Sequence, residues 1–340
     1  MRVLLICLGL LGILARASAA PDLELDALFQ RTNGWIGADG DYSVQLNSDT
    51  TLWLFGDTLI GDVRDGKRVH ATMINNSVAL MPTGGRPQYF YRTNSSGAPA
   101  SVFTPADDTN SFYWPWDGVR TDRGLYLFFM QVRHTAENSV WGFKVFGDAL
   151  AFVENPDSPP QDWKITWRKV PFKSFGWAVV RDGEFVYVYG SNRKSHHALV
   201  ARAPQNVLDD FGQWRFYDHG QWDETPDHAT AVISEAPPEG SVKWIAGLRR
   251  FVAVYSPDIW GDVVMRTAQS PVGPWENRRV IYRCTEANSS NALYCYAGKL
   301  HPELSQSGEL VISYAVNSNH FSDLFKDADI YWPRFVRLNY

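Results

Sequence analysis

The chain has 340 residues, with 32 Lys and Arg against 37 Asp and Glu and a formal charge of −5. That mild acidity excludes a nucleic-acid partner, which needs a basic stripe, and supplies no attraction to an anionic membrane surface. Aromatic residues make up 14%, including 14 Trp, a share that suits a large β-domain and also offers flat apolar faces on which sugar rings stack.

In chain order, the first element is an export signal. Arg2 supplies the positive start, Val3–Ala15 the apolar core, and Ala17-Ser18-Ala19 a small-residue cleavage site before Ala20. The run is too short to span a membrane, and no later run is long enough. The expected organisation is therefore a signal peptide over 1–19 and one domain over 20–340, secreted or periplasmic, with no composition break or Gly/Ser linker inside it. Removing the signal removes Cys7 and leaves Cys284 and Cys295, which in an exported protein read as a disulfide worth roughly 3 kcal/mol at most. Asn75, Asn94 and Asn288 open glycosylation sequons.

The stretch from Gly34 to Gly61 reads as a hairpin with acids at both ends. Tyr42–Leu46 alternates, Leu52–Phe55 is continuously apolar, and Asn47-Ser48-Asp49-Thr50 is a polar turn. A turn centred on Ser48 places Asp39 opposite Asp57, and opposed residues in an antiparallel pair have Cα atoms about 4.5–5.5 Å apart. Two carboxylates that close cannot both ionise cheaply, so one pKa is expected to rise.

The apolar run Leu52–Phe55 has four counterparts further along. "TTLWLFGD", "RGLYLFFMQ", "GEFVYVYGS", "RRFVAVYS" and "GELVISYAVNS" each carry a β-branched and aromatic run, starting at Leu52, Leu125, Phe185, Phe251 and Leu310. Each is flanked by an apolar run on either side. Helical periodicity is scarce, the best candidate being Ala203–Phe211. Five units of three to four strands predict an all-β fold, a five-bladed β-propeller in a single domain.

In such a fold the first strand of each blade lines the central channel. Those strands carry Asp39 and Asp41, then Asp117, then Trp177 with no acid, then Glu239, and finally Lys299, His301 and Glu303. Asp57 joins them, because a second strand ends where the first begins. Cleavage of a glycosidic bond needs one carboxyl to protonate the leaving oxygen and another to activate water or attack carbon. Asp39, Asp57, Asp117 and Glu239 are the catalytic candidates, with Asp39 as base or nucleophile and Asp57 as its partner. Trp35, Trp114, Trp116 and Trp177 are candidates for sugar stacking, and Lys299 and His301 for binding hydroxyls. The bland alternatives are a turn cap for Asp57, an Asx-turn for Asp39 and Asp41, a hydrogen-bonded wall for Asp117, a solvated loop for Glu239 and a satisfied histidine for His301. There is no Gly-x-Ser-x-Gly elbow, His-Glu-x-x-His helix or phosphate loop. A lone Ca²⁺ on the channel axis, held by oxygen ligands, stays open, although no loop spells such a site, and no cofactor is expected.

Taken together, "DGDYSV…LWLFGDT", "NNSVAL", "RTAQSPVGPW", "KLHPELS…GELVISYAVNS" and "YWPRFVRL" resemble a large family of secreted five-bladed propellers, long known only as a domain of unknown function, some of whose members are endo-D-arabinanases. That family is related in fold to the arabinanase, β-xylosidase and levanase propellers. The resemblance implies an acidic pair at Asp39 and Asp57. In related propeller glycosidases the general acid often comes from the third blade, whereas "SFGWAVVRDG" has no acid before Asp182. The resulting expectation is a secreted, monomeric glycoside hydrolase acting on a furanose-rich polysaccharide or oligosaccharide such as an arabinan. The alternatives are a non-catalytic carbohydrate-binding propeller and, third, an extracellular protein-interaction propeller.

Overall fold

The computed structural model describes residues 19–137, 141–192, 195–290 and 292–340. Apart from Ala19, the stretch read as an export signal lies outside them. The described residues are mostly β, with two short α-helices at Leu23–Phe29 and Asp323–Lys326. No helix among them is long and apolar enough to cross a membrane.

Five antiparallel sheets follow one another. The first joins Tyr42–Asn47, Thr50–Phe55, Ser77–Pro82 and Gln88–Phe90, and the second joins Phe112–Arg120, Leu125–His134, Phe143–Val153 and Ile165–Val170. The third begins with Phe175–Asp182, Phe185–Asn192 and His197–Pro204, and the fourth runs Gly240–Ile245, Arg250–Tyr255, Asp262–Ala268 and Glu276–Arg283. The fifth orders Leu293–Leu300, Glu309–Ser318 and Pro333–Asn339, and is completed by Ala20–Pro21 from the other end of the chain. Leu52, Leu125, Phe185, Phe251 and Leu310 all lie on the second strand of their sheets. Those strands read as continuous apolar runs because both of their faces are covered, as in Thr50–Phe55 and Arg250–Tyr255.

First strands pack on one another in sequence, from Tyr42–Asn47 to Phe112–Arg120, Phe175–Asp182, Gly240–Ile245 and Leu293–Leu300. Ser43 closes the circuit, with its Oγ 2.7 Å from His301 Nδ1 and donating to Glu303 Oε2 at 3.0 Å. Polar groups on these strands therefore face a common axis.

Two features depart from the sequence expectations. Ala203–Phe211 is not a helix: its first two residues end a strand, a turn follows, and only Phe211–Gln213 forms a 3-10 turn capped by Asp210. The helix Leu23–Phe29 was missed, although Asp22 caps it by accepting from the Leu25 backbone N–H. A three-stranded sheet of Asn33–Ala38, Thr58–Arg64 and Lys67–Ile74 also stands beside the first sheet.

Arg68 fastens that extra sheet to the rest. Only 3% exposed, its guanidinium donates to the carbonyls of Ile36, Leu324 and Ile330 at 2.7 Å each and lies 5.0 Å from the Trp332 ring. A planar fork with five donors suits such a ring of carbonyls, and an ammonium does not. Arg68→Met is expected to lose about 3 kcal/mol or more of unfolding free energy, because it leaves several buried carbonyls unpaired. Arg68→Lys should recover only a small part. Denaturant titration of both variants checks this, and parent-like stability of Arg68→Met would remove the fastening role.

Candidate active site

The Tyr42–Asn47 and Thr50–Phe55 hairpin pairs Tyr42 with Leu54, Ser43 with Trp53, Val44 with Leu52 and Gln45 with Thr51. This is the register expected from the turn, and the approach continues past the last strand pair, where the Gly56 N–H donates to the Asp39 carbonyl at 2.8 Å. The contact is tight. A Cβ on Gly40 would lie 2.8 Å from Gly56 N, and one on Gly56 would lie 2.6 Å from Asp39 Oδ1. Asp39 and Asp57 thus flank two facing glycines at one end of the axis.

Each carboxyl has its own partners. Asp39 Oδ2 accepts from the Tyr296 hydroxyl at 2.5 Å, and the Asn317 side-chain amide donates to that same hydroxyl at 3.3 Å. Asp57 Oδ1 accepts from Trp114 Nε1 at 2.8 Å and from Asn75 Nδ2 at 3.1 Å, while the Tyr331 hydroxyl donates to the Asp57 carbonyl at 3.0 Å. Burial, with the Asp57 charge next in importance, pushes the Asp39 carboxyl up to about 7. Burial also raises Asp57, opposed by the two N–H bonds it accepts, which favour its charged form. Both acids remain half-buried and not fully enclosed.

Around the pair lie three further groups. Glu239 Oε1 accepts from Lys299 Nζ at 3.0 Å, and that ammonium also donates to the Ala297 carbonyl and sits 4.3 Å from the Tyr42 ring centre. Lys299 is buried. Asp41 is buried too, in a positive-φ conformation, and neither of its carboxyl oxygens has a hydrogen-bond partner among the described residues. Burial holds its carboxyl well above the usual range, against the pull of Lys299.

A second polar layer lies deeper. Asp117 accepts from the backbone N–H groups of Gly118 and Val179 at 2.8 and 2.9 Å and from Lys243 Nζ at 3.1 and 3.0 Å. With both carboxyl oxygens hydrogen-bonded and no exposure, Asp117 forms part of the wall of the axis. His301 is sealed between Ser43 and Ser313, each hydroxyl 2.7 Å from a ring nitrogen. Burial and the Lys299 and Lys243 charges hold it neutral. Because the Ser43 hydroxyl donates to Glu303, its oxygen takes the proton on Nδ1, and Nε2 accepts from Ser313.

Of the four tryptophans expected to stack on sugar, only Trp114 stands at the pair. Trp35 is buried against Tyr89 and Phe55 with Nε1 donating to Ser77, Trp116 is buried in the core, and Trp177 is buried with Nε1 donating to the Gly190 carbonyl. None of these three offers a face to a ligand. Strand alternation fixes which residues share a face without saying whether that face meets the axis or the next sheet. The residues that sequence reasoning missed are Tyr296, Tyr294, Tyr331 and Asn75. Tyr294 and Tyr296 alternate on the first strand of the fifth sheet, a signal that was available, and their rings lie 5.4 Å apart. Asn75 was read as a sugar-acceptor site, but its amide is turned onto Asp57. The other two sequons leave Asn94 exposed in a turn and the Asn288 side chain outside the described residues.

The fold is similar to that of a "putative hydrolase" from Bacteroides ovatus ATCC 8483, with 21% identity and a TM-score of 0.78 over 94% of this chain and 90% of the other. The catalytic domain of the Coprinopsis cinerea GH62 alpha-L-arabinofuranosidase aligns with 11% identity and a TM-score of 0.53, over 95% of this chain and 96% of that domain. A GH43_1 enzyme from Xanthomonas citri complexed with xylotriose aligns with 16% identity and a TM-score of 0.50, over 95% and 90%. At these identities the likeness is one of fold. No curated protein sequence matches the chain. The family match runs from Asp22, the cap of the first helix, to Tyr340, and over residues 22–340 the chain belongs to the family described as Domain of unknown function (DUF5005).

Proposed function

We propose that the protein is a secreted glycoside hydrolase acting on a furanose-rich polysaccharide such as an arabinan, with the five sheets as blades of one propeller. The observation that carries this reading is the pair Asp39 and Asp57, forced together where folding gains nothing from two acids and surrounded by hydrogen-bonding aromatic side chains. The named sugar-cleaving enzymes of similar fold support the reaction class. The small-residue site before Ala20 and the Cys284–Cys295 disulfide support export.

The hydrogen bonds divide the labour. Asp39, neutral up to about pH 7, donates its proton to the glycosidic oxygen as the C–O bond breaks. Asp57 receives two N–H donors that favour the carboxylate and acts as base toward water or as nucleophile at the anomeric carbon. This order reverses the one favoured from the sequence, where nothing distinguished the partners of the two acids. Asp117 and Glu239, each engaged by a lysine, shape the field of the site without transferring protons.

One observation favours a second reading, a non-catalytic carbohydrate-binding propeller. The first strand of the third sheet carries no acid before Asp182 at its end, and its Trp177 is buried in the packing between sheets, so the hairpin pair is the one left for proton transfer. Incubating the purified protein with arabinan, arabinogalactan, xylan and galactan and scoring released oligosaccharides separates the two. Release from none of them, with retention on at least one, would favour the binding reading.

Asp39→Asn and Asp57→Asn should each lower turnover about 10³-fold or more, while Lys243→Met should act mainly on stability, costing about 3–5 kcal/mol by stranding the buried Asp117 charge. Full activity in both Asn variants would sink the catalytic assignment. The pH dependence follows from the raised Asp39 pKa: the protonated donor is present below about 7 and lost above it, so kcat/KM should fall as pH rises through 7. Tyr296→Phe removes a bond that favours the charged form, and should shift that alkaline limb to higher pH. A limb that stays put or moves down would contradict it. Stability has the same sign, since a raised carboxyl pKa contributes stability below the unfolded value that is lost as pH rises through the folded one. Relative to the parent, Asp39→Asn should therefore gain thermal stability between pH 4 and pH 8.

A further inference from the structure

Trp260 is 76% exposed, more than any other large hydrophobic side chain among the described residues. Its backbone is nevertheless fixed at several points. The turn from Ser256 to Gly261 joins the second and third strands of the fourth sheet, and within it the Trp260 N–H donates to Asp258 Oδ1 at 2.8 Å. Trp260 bridges in parallel to Cys295, whose N–H donates to the Ile259 carbonyl at 3.2 Å. On the other side the Cys284 N–H donates to the Gly261 carbonyl at 2.8 Å, and Cys284 is disulfide-bonded to Cys295. Gly261 has φ +100 and leaves 3.1 Å between a would-be Cβ and the Cys284 carbonyl, so the turn fits against the disulfide only with glycine there.

The turn lies on the catalytic side of the molecule. Tyr255, which leads into it, pairs with Gly240 beside Glu239. Cys295 immediately precedes Tyr296, whose hydroxyl holds Asp39. Adding a strand spacing, one extended residue and the length of a tyrosine keeps the Trp260 backbone within roughly 15 Å of Asp39. Tyr294, next to Cys295 on the same strand, has Trp141 against it at 5.7 Å. A flexible exposed indole would be ordinary surface. An indole on a turn held by an Asx contact, a backbone bridge and a disulfide is preorganised for a planar ligand face.

We propose that Trp260 is a stacking platform for a sugar ring of the same glycan chain whose bond lies at Asp39 and Asp57, a few residues from the cleavage point, and that the disulfide is the clamp that holds it. This rests on the glycoside hydrolase reading and names the ligand subsite that reading lacks: the apolar face of a furanose or pyranose ring in a polymer, out of reach of a short oligosaccharide.

The test compares soluble arabinan with arabinotriose as substrates and adds electrophoresis in gels containing arabinan, which reads binding without catalysis. Trp260→Ala is expected to raise KM for arabinan about tenfold, a loss of roughly 1.4 kcal/mol, with kcat/KM for arabinotriose unchanged and retardation in the gel diminished. Trp260→Phe should restore part of the retardation. The Cys284→Ser/Cys295→Ser variant should resemble Trp260→Ala on the polymer and the parent on the trimer. Unchanged arabinan KM and retardation in Trp260→Ala would overturn the platform even if Asp39→Asn is inactive. If the parent is retarded but cleaves nothing, the hydrolase reading fails while loss of retardation in Trp260→Ala still upholds the platform. A parent that arabinan neither retards nor serves as substrate overturns both for this polymer. A change in oligomeric state by light scattering, with arabinan retardation intact, would make the indole a protein contact and overturn the proposal.

Discussion

Everything at the acid pair depends on how closely the backbone at Gly40 approaches that at Gly56. Neither position has room for a Cβ, so the hairpin can bring its two flanking aspartates together only because both intervening residues are glycine. The proximity costs electrostatic energy, since the Asp57 charge adds to burial in raising the Asp39 carboxyl, and the strands below have to oppose it through ladder bonds and apolar burial. Thr50–Phe55 is placed to do so, sealed on both faces by Trp53, Leu54 and Phe55 and paired on both edges.

The axis carries two polar layers with different electrostatic logic. Deep in the molecule, Asp117, Lys243, Glu303, His301 and the two serines satisfy one another. Asp117 with Lys243 and the Val179 N–H ties sheets two, three and four, and Ser43 with His301 and Glu303 ties sheets one and five. Nearer the pair, pairing is incomplete: among the described residues Asp41 has no hydrogen-bond partner and Asp39 has a single phenol. Three residues of this neighbourhood, Asp41, Ala297 and Tyr331, also hold positive φ without being glycine. Incompletely paired buried carboxyls of this kind are met more often at functional sites than in structural networks.

Much of this was legible in the sequence because it is local. Turn chemistry and period-two alternation fixed the hairpin register, and the five recurrent apolar runs marked the five second strands. What stayed hidden was decided at long range. Asp57 meets Trp114 from the second sheet, and Asp39 meets Tyr296 from the fifth, contacts between segments far apart in the chain that no local pattern encodes. The tryptophans show the same limit. Trp35 and Trp177 alternate on their strands as a rim residue would, yet face the packing between sheets. Ala203–Phe211 has a helix-like periodicity, but the Gln205 N–H bonds to the Glu184 carbonyl across the sheet, a partner available only once the third sheet has formed.

The fifth sheet is assembled from both ends of the chain, with Ala20 and Pro21 set against Arg337 and Val336 and the neighbouring Asp22 carboxylate held by Arg337. Such a closure is a temporal constraint as well as a spatial one. Emerging from the ribosome or a translocation channel, the chain can form its first four sheets in order, each from contiguous sequence. It can seat Ala20 and Pro21 only after Val336 and Arg337 have arrived. Until then the strand Glu309–Ser318 exposes a ladder edge meant for Pro333–Asn339, and unpaired edges of that kind invite pairing with another chain. The acid pair is finished on the same schedule, since Tyr296 and Tyr331 come from this late segment. The segment that closes the fifth sheet is thus also the one that brings the two tyrosines to the acid pair.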